Sequence, residues 1–213
     1  MCETNDRFHV KRTKLTNSKR HQEVCIIKKR IKLVDFAHSK IKCVLNPGDI
    51  CIDATAGNGH DSLFLAKNVA PAGKVLAIDI QETALSETEN RLNNHGLSHL
   101  LETHKGSHTD ISKFIIKEMQ GEIAAVMFNL GYLPGGDHAV VTKLETTTSA
   151  IVQAYNAIRE GGLISVLCYR GHEGGKEEAL AVVKLCKIKK WSTEIFSGNE
   201  SSISPKLVLI RKT

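Results

Sequence analysis

The run Asp53-Ala54-Thr55-Ala56-Gly57-Asn58-Gly59 decides how this chain is read. It follows a short apolar stretch, residues 50–54, and opens a stretch of helical character, residues 60–69. A strand that turns through two glycines into a helix lets the backbone approach a ligand closely. Asp79 stands 20 residues after Gly59, at the end of the next apolar stretch, residues 74–80. A carboxylate in that place accepts hydrogen bonds from the hydroxyls of a ribose. Glycine spacing alone is a weak signal. The strand before it, the helix after it and the acid at the next strand's end make it a strong one.

The residues around the loop narrow the ligand. A dinucleotide loop calls for a third glycine three residues after Gly59, where the chain has Ser62. A phosphate loop calls for Gly-Lys-Ser/Thr, which is absent. Asp53 at the mouth of the loop would repel a pyrophosphate but suits the ammonium of a methionine moiety. Asp53, Gly57, Gly59 and Asp79 therefore point to S-adenosylmethionine rather than NAD.

Outward from the loop, the pattern alternates between strands and helices. Helices are expected at 33–45, 60–69, 82–95, 109–119, 143–160 and 175–189. Strands are expected at 50–54, 74–80, 99–104, 122–129, 163–169, 191–197 and 206–211. Strands alternating with helices predict an α/β domain with a mostly parallel sheet. Residues 130–142 are rich in Gly and Pro and are read as a loop, and Gly161-Gly162 is read as a helix stop.

The composition fits a single globular unit. The 213 residues are 41% hydrophobic and 24% charged, with only 5% aromatic, so aliphatic side chains must fill the core. No stretch approaches the ~20 apolar residues of a membrane span, and no apolar secretory core stands near the start. The net charge of +6 is unevenly placed: residues 1–35 hold ten Lys/Arg against four Asp/Glu, and the remainder is balanced. Residues 1–32 are accordingly read as a basic, flexible arm suited to the phosphates of a nucleic acid, and residues 33–213 as the folded domain. None of the six cysteines shares Cys-x-x-Cys spacing, so no metal is expected and the chain fits a reducing compartment. Cys51 and Cys168 lie in apolar runs and are read as core residues.

Ligands of an open parallel sheet sit beyond the carboxyl ends of its strands. The tip of the fourth strand reads Asn129-Leu130-Gly131-Tyr132-Leu133-Pro134. It is similar to the Asn/Asp-Pro-Pro-Tyr signature with which many methyltransferases hold an amino group. An amide oxygen on Asn129 and nearby carbonyls would accept N–H bonds and aim a nitrogen lone pair. Tyr132 would stack on a base or face a positive centre. Leu130, Gly131 and Tyr169 are read as substrate-side residues. An alkylammonium acceptor must also lose a proton, for which Asp137, His138 and His172 are the candidates.

Longer motifs carry a family resemblance. Asp53-Ala54-Thr55-Ala56-Gly57-Asn58-Gly59-His60-Asp61-Ser62-Leu63-Phe64-Leu65-Ala66 is one. Others are Asp79-Ile80-Gln81, Gly106-Ser107-His108, the stretch from Phe128 to His138, Thr146-Thr147 and Tyr169-Arg170-Gly171-His172-Glu173-Gly174-Gly175. From about Leu33 onward the chain resembles the MnmM (YtqB) family of class I tRNA methyltransferases, long grouped as rRNA methylases. The resemblance implies a Rossmann-like, seven-stranded class I sheet with helices on both faces. It implies S-adenosyl-L-methionine held by Asn58, Gly59, Asp79, Gln81, Ser107 and His108. It also implies N-methylation of 5-aminomethyl-2-thiouridine at the tRNA wobble position, through contact with the anticodon stem-loop. Two departures stand out. The basic arm extends beyond the short bacterial form, and the family's Pro-Pro pair reads Ser204-Pro205 here, although Asn199 is kept.

The residues alone leave other acceptors open, namely rRNA or a small molecule, and also a non-catalytic RNA-binding module. A homodimer is allowed. The expected location is the cytoplasm, or a chloroplast or mitochondrion in a eukaryotic chain.

Overall fold

The computed structural model of the chain describes residues 10–13, 24–27, 32–131, 144–198, 201 and 203–213. In chain order the elements are β1 (Val10–Thr13), β2 (Val24–Ile27), α1 (Leu33–Lys42), β3 (Ile50–Asp53), α2 (His60–Val69), β4 (Lys74–Asp79), α3 (Glu82–Asn93) and β5 (Leu101–Lys105). They continue with α4 (Ile111–Phe114), β6 (Ile123–Leu130), α5 (Leu144–Ala157), β7 (Ile158–Cys168), α6 (Gly175–Lys189), β8 (Ser192–Ser197) and β9 (Lys206–Arg211).

One sheet orders the strands β1-β2-β8-β9-β7-β6-β3-β4-β5. The seven strands from β3 to β9 form the expected core, in which β9 alone runs against its neighbours. The chain winds outward from β3 through β4 to β5, then returns to β6 on the other side of β3. The β3–β6 boundary is therefore the topological switch point, where a ligand crevice opens. The other two strands come from the arm. β1 and β2 pair antiparallel, and β2 lies parallel to β8 with Val24 opposite Ile195. The run Val24-Cys25-Ile26-Ile27 is rich in β-branched residues, and the open edge of β8 supplies its backbone partners.

Helices cover both faces. Phe36, Ala37 and Ile41 of α1, Leu65, Ala66 and Val69 of α2 and Leu92 of α3 share one buried cluster. Ile111 of α4, Ile151 and Ala154 of α5 and Val182 and Cys186 of α6 share the other. β6 feeds both in alternation. Ala125 and Met127 join the first cluster, while Val126, Phe128 and Leu130 join the second. This period of two sends the side chain of Asn129 toward α1 and α2. Cys51 and Cys168 are fully buried, as their apolar runs predict, and burial pushes both thiols up.

The helices predicted at 33–45 and 82–95 end two or three residues early, at Lys42 and Asn93, and two others differ more. Residues 109–119 break into a 3-10 turn, the one-turn α4 and a second 3-10 turn, Lys117–Met119. The β-branched pair Ile115-Ile116 lies in the gap, where such residues disfavour continued helix. The helix predicted over 143–160 ends at Ala157, because β7 begins at once at Ile158. Gly161 and Gly162 lie inside that strand and exchange backbone hydrogen bonds with Lys212. At the opposite end of the sheet, Arg159 grips Asp49 through both nitrogens, at 2.6 and 2.9 Å, and also donates to the carbonyl of Val44.

Candidate active site

The cofactor loop is held by its own chain. The Ala54 N–H donates to the carbonyl of Met127 and the Ala56 N–H to that of Ile78, so the loop is pinned to β6 and β4. Gly57 and Gly59 both take positive φ, +52° and +73°. The Gly57 N–H donates to Asp79 Oδ2 at 2.9 Å, and the Gln81 N–H donates to Asp79 Oδ1 at 2.9 Å. The guanidinium of Arg91 donates to the carbonyl of Asn58. Asp79 thus joins the glycine loop to the start of α3, and its remaining lone pairs stay available to ribose hydroxyls.

Ser107 and His108 follow β5 at the same end of the sheet. Ser107 Oγ accepts from the Thr109 N–H at 3.2 Å and caps the short turn. His108 is buried, and its Nε2 has no hydrogen-bond partner among the described residues. Burial lowers its pKa against the opposing charges of Asp79 and Asp110, so the ring is kept neutral. A buried, unpaired ring nitrogen within the field of Asp79 fits a nucleoside, which offers both donors and acceptors. Ile80, half exposed between Asp79 and Gln81, adds an apolar face of the kind a base packs against. The site residues therefore fit S-adenosylmethionine.

Asp53 corrects the sequence expectation. It does not face the mouth of the loop but is fully buried, accepting from Ser62 Oγ at 2.6 Å and from the Thr55 N–H at 3.3 Å. Burial, and then the charge of Asp61, push its carboxyl up to about 7. Ser62, read from sequence as a missing glycine, is the group that turns Asp53 inward.

Asn129, one residue before the end of β6, lies beside this loop. Its backbone N–H donates to Thr55 Oγ1 at 2.7 Å, and its Nδ2 donates to Asp61 Oδ2 at 2.6 Å. Asp61 Oδ1 lies 2.7 Å from Nε2 of His38, whose ring stacks on Phe64 with centroids 3.9 Å apart and planes 4° apart. Leu130 is corrected as well. Its side chain is fully buried on the α5/α6 face, because it alternates with Asn129, and only its carbonyl works at the tip, accepting from the Tyr169 N–H at 3.0 Å. Gly131, Tyr169 and His172 do come together: a Cβ on Gly131 would stand 3.5 Å from Tyr169 and 3.7 Å from His172. Burial and the charge of Asp61 raise the Tyr169 phenol. Tyr132, Asp137 and His138 lie outside the described residues.

Nothing in the sequence pattern marks Thr55, His38 or Asp61 for these contacts. Thr55 and Asp61 stand within the loop motif, but nothing in their spacing to Asn129, 68 residues beyond Asp61, marks the contact. His38 comes from a helix that precedes the motif altogether. Arg170 and Lys206 form a basic pair whose proximity no sequence motif marks. Burial, and then the Arg170 guanidinium, lower the pKa of Lys206, and Arg170 donates to the carbonyl of Ser204 at 3.4 Å. Among the described residues, Arg170 Nε is buried without a hydrogen-bond partner and neither cation makes an ion pair. Among the described residues no helix is long and apolar enough to cross a membrane, and no group of three His, Cys, Asp or Glu is placed to hold a metal.

A glycine loop, a ribose-type acid and an amide tip at the switch point of this sheet define a class I S-adenosylmethionine-dependent methyltransferase. The rRNA methylase family model matches residues 75–210, and the ubiE/COQ5 methyltransferase family model matches residues 23–124. The chain is 37% identical over 194 residues to the chloroplastic tRNA (mnm(5)s(2)U34)-methyltransferase of Arabidopsis thaliana, covering 86% of this chain and 70% of that protein. Two solved structures are similar. One is an rRNA-methylase from Clostridium thermocellum, at 37% identity and TM-score 0.80 over 86% of this chain and 99% of that one. The other is SMU.1697c, a methyltransferase from Streptococcus mutans in complex with SAH, at 30% identity and TM-score 0.75 over 86% and 99%. The chain belongs to this rRNA methylase family, the group whose MnmM (YtqB) members its motifs resemble.

Proposed function

We propose that the chain N-methylates 5-aminomethyl-2-thiouridine at the wobble position of tRNA, giving 5-methylaminomethyl-2-thiouridine. The observation that carries this reading is the placement of Asn129, at the carboxyl end of β6 and bonded through its backbone to the cofactor loop at Thr55. An amide carbonyl there accepts an N–H bond from an amine and aims its lone pair. Asn58, Gly59, Asp79, Gln81, Ser107 and His108 would hold S-adenosylmethionine, which when bound supplies an electrophilic methyl group on sulfur. Tyr132 and Tyr169 would flank the base, with Gly131 leaving room between strand ends. Asp137, His138 and His172 are the candidates to take the ammonium proton. The activity in the name of the Arabidopsis relative supports the choice of substrate.

The anticodon stem-loop is the part of tRNA this reading brings to the cleft. Arg170 and Lys206 stand at that end of the sheet, since Lys206 opens β9 opposite Cys168, the last residue of β7. Together with the basic arm, residues 1–32, they would neutralise phosphates. Sedimentation of the purified chain reads the homodimer, and fractionation distinguishes cytoplasm from chloroplast or mitochondrion.

The test uses labelled S-adenosylmethionine with tRNA from cells that lack the wobble N-methylation step, digested to nucleosides and weighed. A gain of one CH2 on 5-aminomethyl-2-thiouridine is expected. Label in rRNA or in a small molecule instead would overturn the tRNA assignment.

A further inference from the structure

We propose that Asp61, braced by His38, is a positioning residue that sets which end of the Asn129 amide meets the substrate. The inference rests on the reading of Asn129 as the group that receives the acceptor nitrogen. A carboxylate is acceptor only, so the Asn129 atom 2.6 Å from Asp61 Oδ2 must be the NH2 group. Asp61 is 5% exposed, whereas Asn129 is only partly buried. The amide therefore points its donors inward, and its carbonyl is the end left toward the cleft.

Asp61 is not free to turn away. Its other oxygen is held 2.7 Å from His38 Nε2, and the His38 ring is fixed by its stack on Phe64. The Asn129 main chain is fixed as well, by the bond from its N–H to Thr55 Oγ1. Both ends of the contact are thus determined by groups from three elements, α1, α2 and the β3–α2 loop. A flipped amide would set its carbonyl lone pairs against the carboxylate, so the arrangement admits one orientation. The consequence is selectivity. The site presents an acceptor atom, so it receives a nitrogen that carries hydrogen and turns away a group with only lone pairs to offer.

The test is a reciprocal exchange. Asn129→Asp alone places two carboxylates against each other and is expected to lower kcat by about 100-fold or more on tRNA bearing 5-aminomethyl-2-thiouridine. Adding Asp61→Asn restores a donor on the α2 side and leaves a carboxylate oxygen at the tip of β6 to accept from the amine. The double variant is expected to recover to within about tenfold of the wild type. Cofactor affinity, measured in each variant, should stay within about twofold, since none of these side chains bonds to Gly57, Asp79 or Gln81. A double variant as inactive as the single one, with cofactor affinity intact, would overturn the proposal. NMR of the Asn129 side-chain amide tests it without any substrate. A shifted, exchange-protected proton is expected in the wild type and lost in Asp61→Ala. An averaged, unprotected amide in the wild type also overturns it. A wild type that shows the protected proton but leaves this tRNA unmethylated refutes the wobble assignment and leaves the Asp61 inference standing.

Discussion

Gly59 lies directly against Thr88: a Cβ built on Gly59 would stand 2.7 Å from Thr88 Cα and 2.9 Å from its hydroxyl. The cofactor loop and α3 are therefore in backbone contact, and Thr88 Oγ1 donates to the carbonyl of Gly57 at 3.3 Å. Gly59→Ala is expected to cost about 1–2 kcal/mol for the left-handed conformation alone, before any displacement of α3. Urea denaturation and cofactor titration read the two effects. Unchanged cofactor affinity in this variant would mean that the loop can move without loss.

Asp79 and Asn129 should separate binding from transfer. Asp79→Ala removes the acceptor of two loop amides and is expected to abolish cofactor binding. Asp79→Asn keeps the volume but accepts at one oxygen only, so binding should weaken about 10–100-fold. Asn129→Ala should bind cofactor normally and lose methyl transfer. Titration calorimetry followed by a turnover assay distinguishes them. Full turnover in Asn129→Ala would remove that residue from the site.

Asp53 gives stability a specific dependence on pH. Its carboxyl stands at about 7 in the folded chain against an ordinary 3.8, so between those values the native state holds a proton that the unfolded chain has released. In that window the unfolded state binds fewer protons, so this group makes stability fall as pH rises, and the loss is complete above about 7. Asp53→Asn removes the titration. Its stability relative to the wild type should grow between about pH 5 and about pH 8, followed by urea midpoints. Parallel curves for the two proteins would show that Asp53 keeps its charge when buried.

Arg159 belongs to the far end of the sheet and should act on stability alone. It makes two bonds to Asp49 and one to the Val44 carbonyl. Arg159→Ala is expected to cost about 2–3 kcal/mol, because a bidentate, partly buried pair is broken and the Asp49 carboxylate loses its partner. Arg159→Lys should recover only part of this, since an ammonium cannot bond both oxygens in the same fork. Thermal melts measure the loss, and cofactor affinity should not change.

Arg170 and Lys206 should act on tRNA alone. Replacing both with Ala is expected to weaken tRNA binding equally across tRNA species and to reduce the salt slope of log K by about 1–2. Filter binding at several salt concentrations checks this. An unchanged slope would place the phosphates elsewhere.

Much of the fold is legible in the sequence because helical and strand periods are local. The bounds of α2, His60–Val69, and α6, Gly175–Lys189, coincide with the predicted 60–69 and 175–189. The break in the helix predicted over 109–119 has a local cause in Ile115-Ile116, but the other errors fall where neighbours in space decide. Gly161-Gly162 reads as a helix stop, but its backbone pairs with Lys212, which no local pattern reveals. The segment 24–27 becomes a strand because β8 offers it an edge.

Local residue patterns specify the alternation of strands and helices, the glycine loop with Asp79 one strand away, and the amide at the tip of β6. Each depends on residue types at short spacing. What those groups do to one another depends on packing between distant parts of the chain. Asp53 turns inward because Ser62 meets it, Leu130 faces the core because Asn129 faces α2, and Asp61 holds the Asn129 amide because His38 holds Asp61. Hydrogen bonds act over about 3 Å whatever the separation along the chain, so contacts between residues 23 and 68 positions apart leave no periodic trace in the sequence.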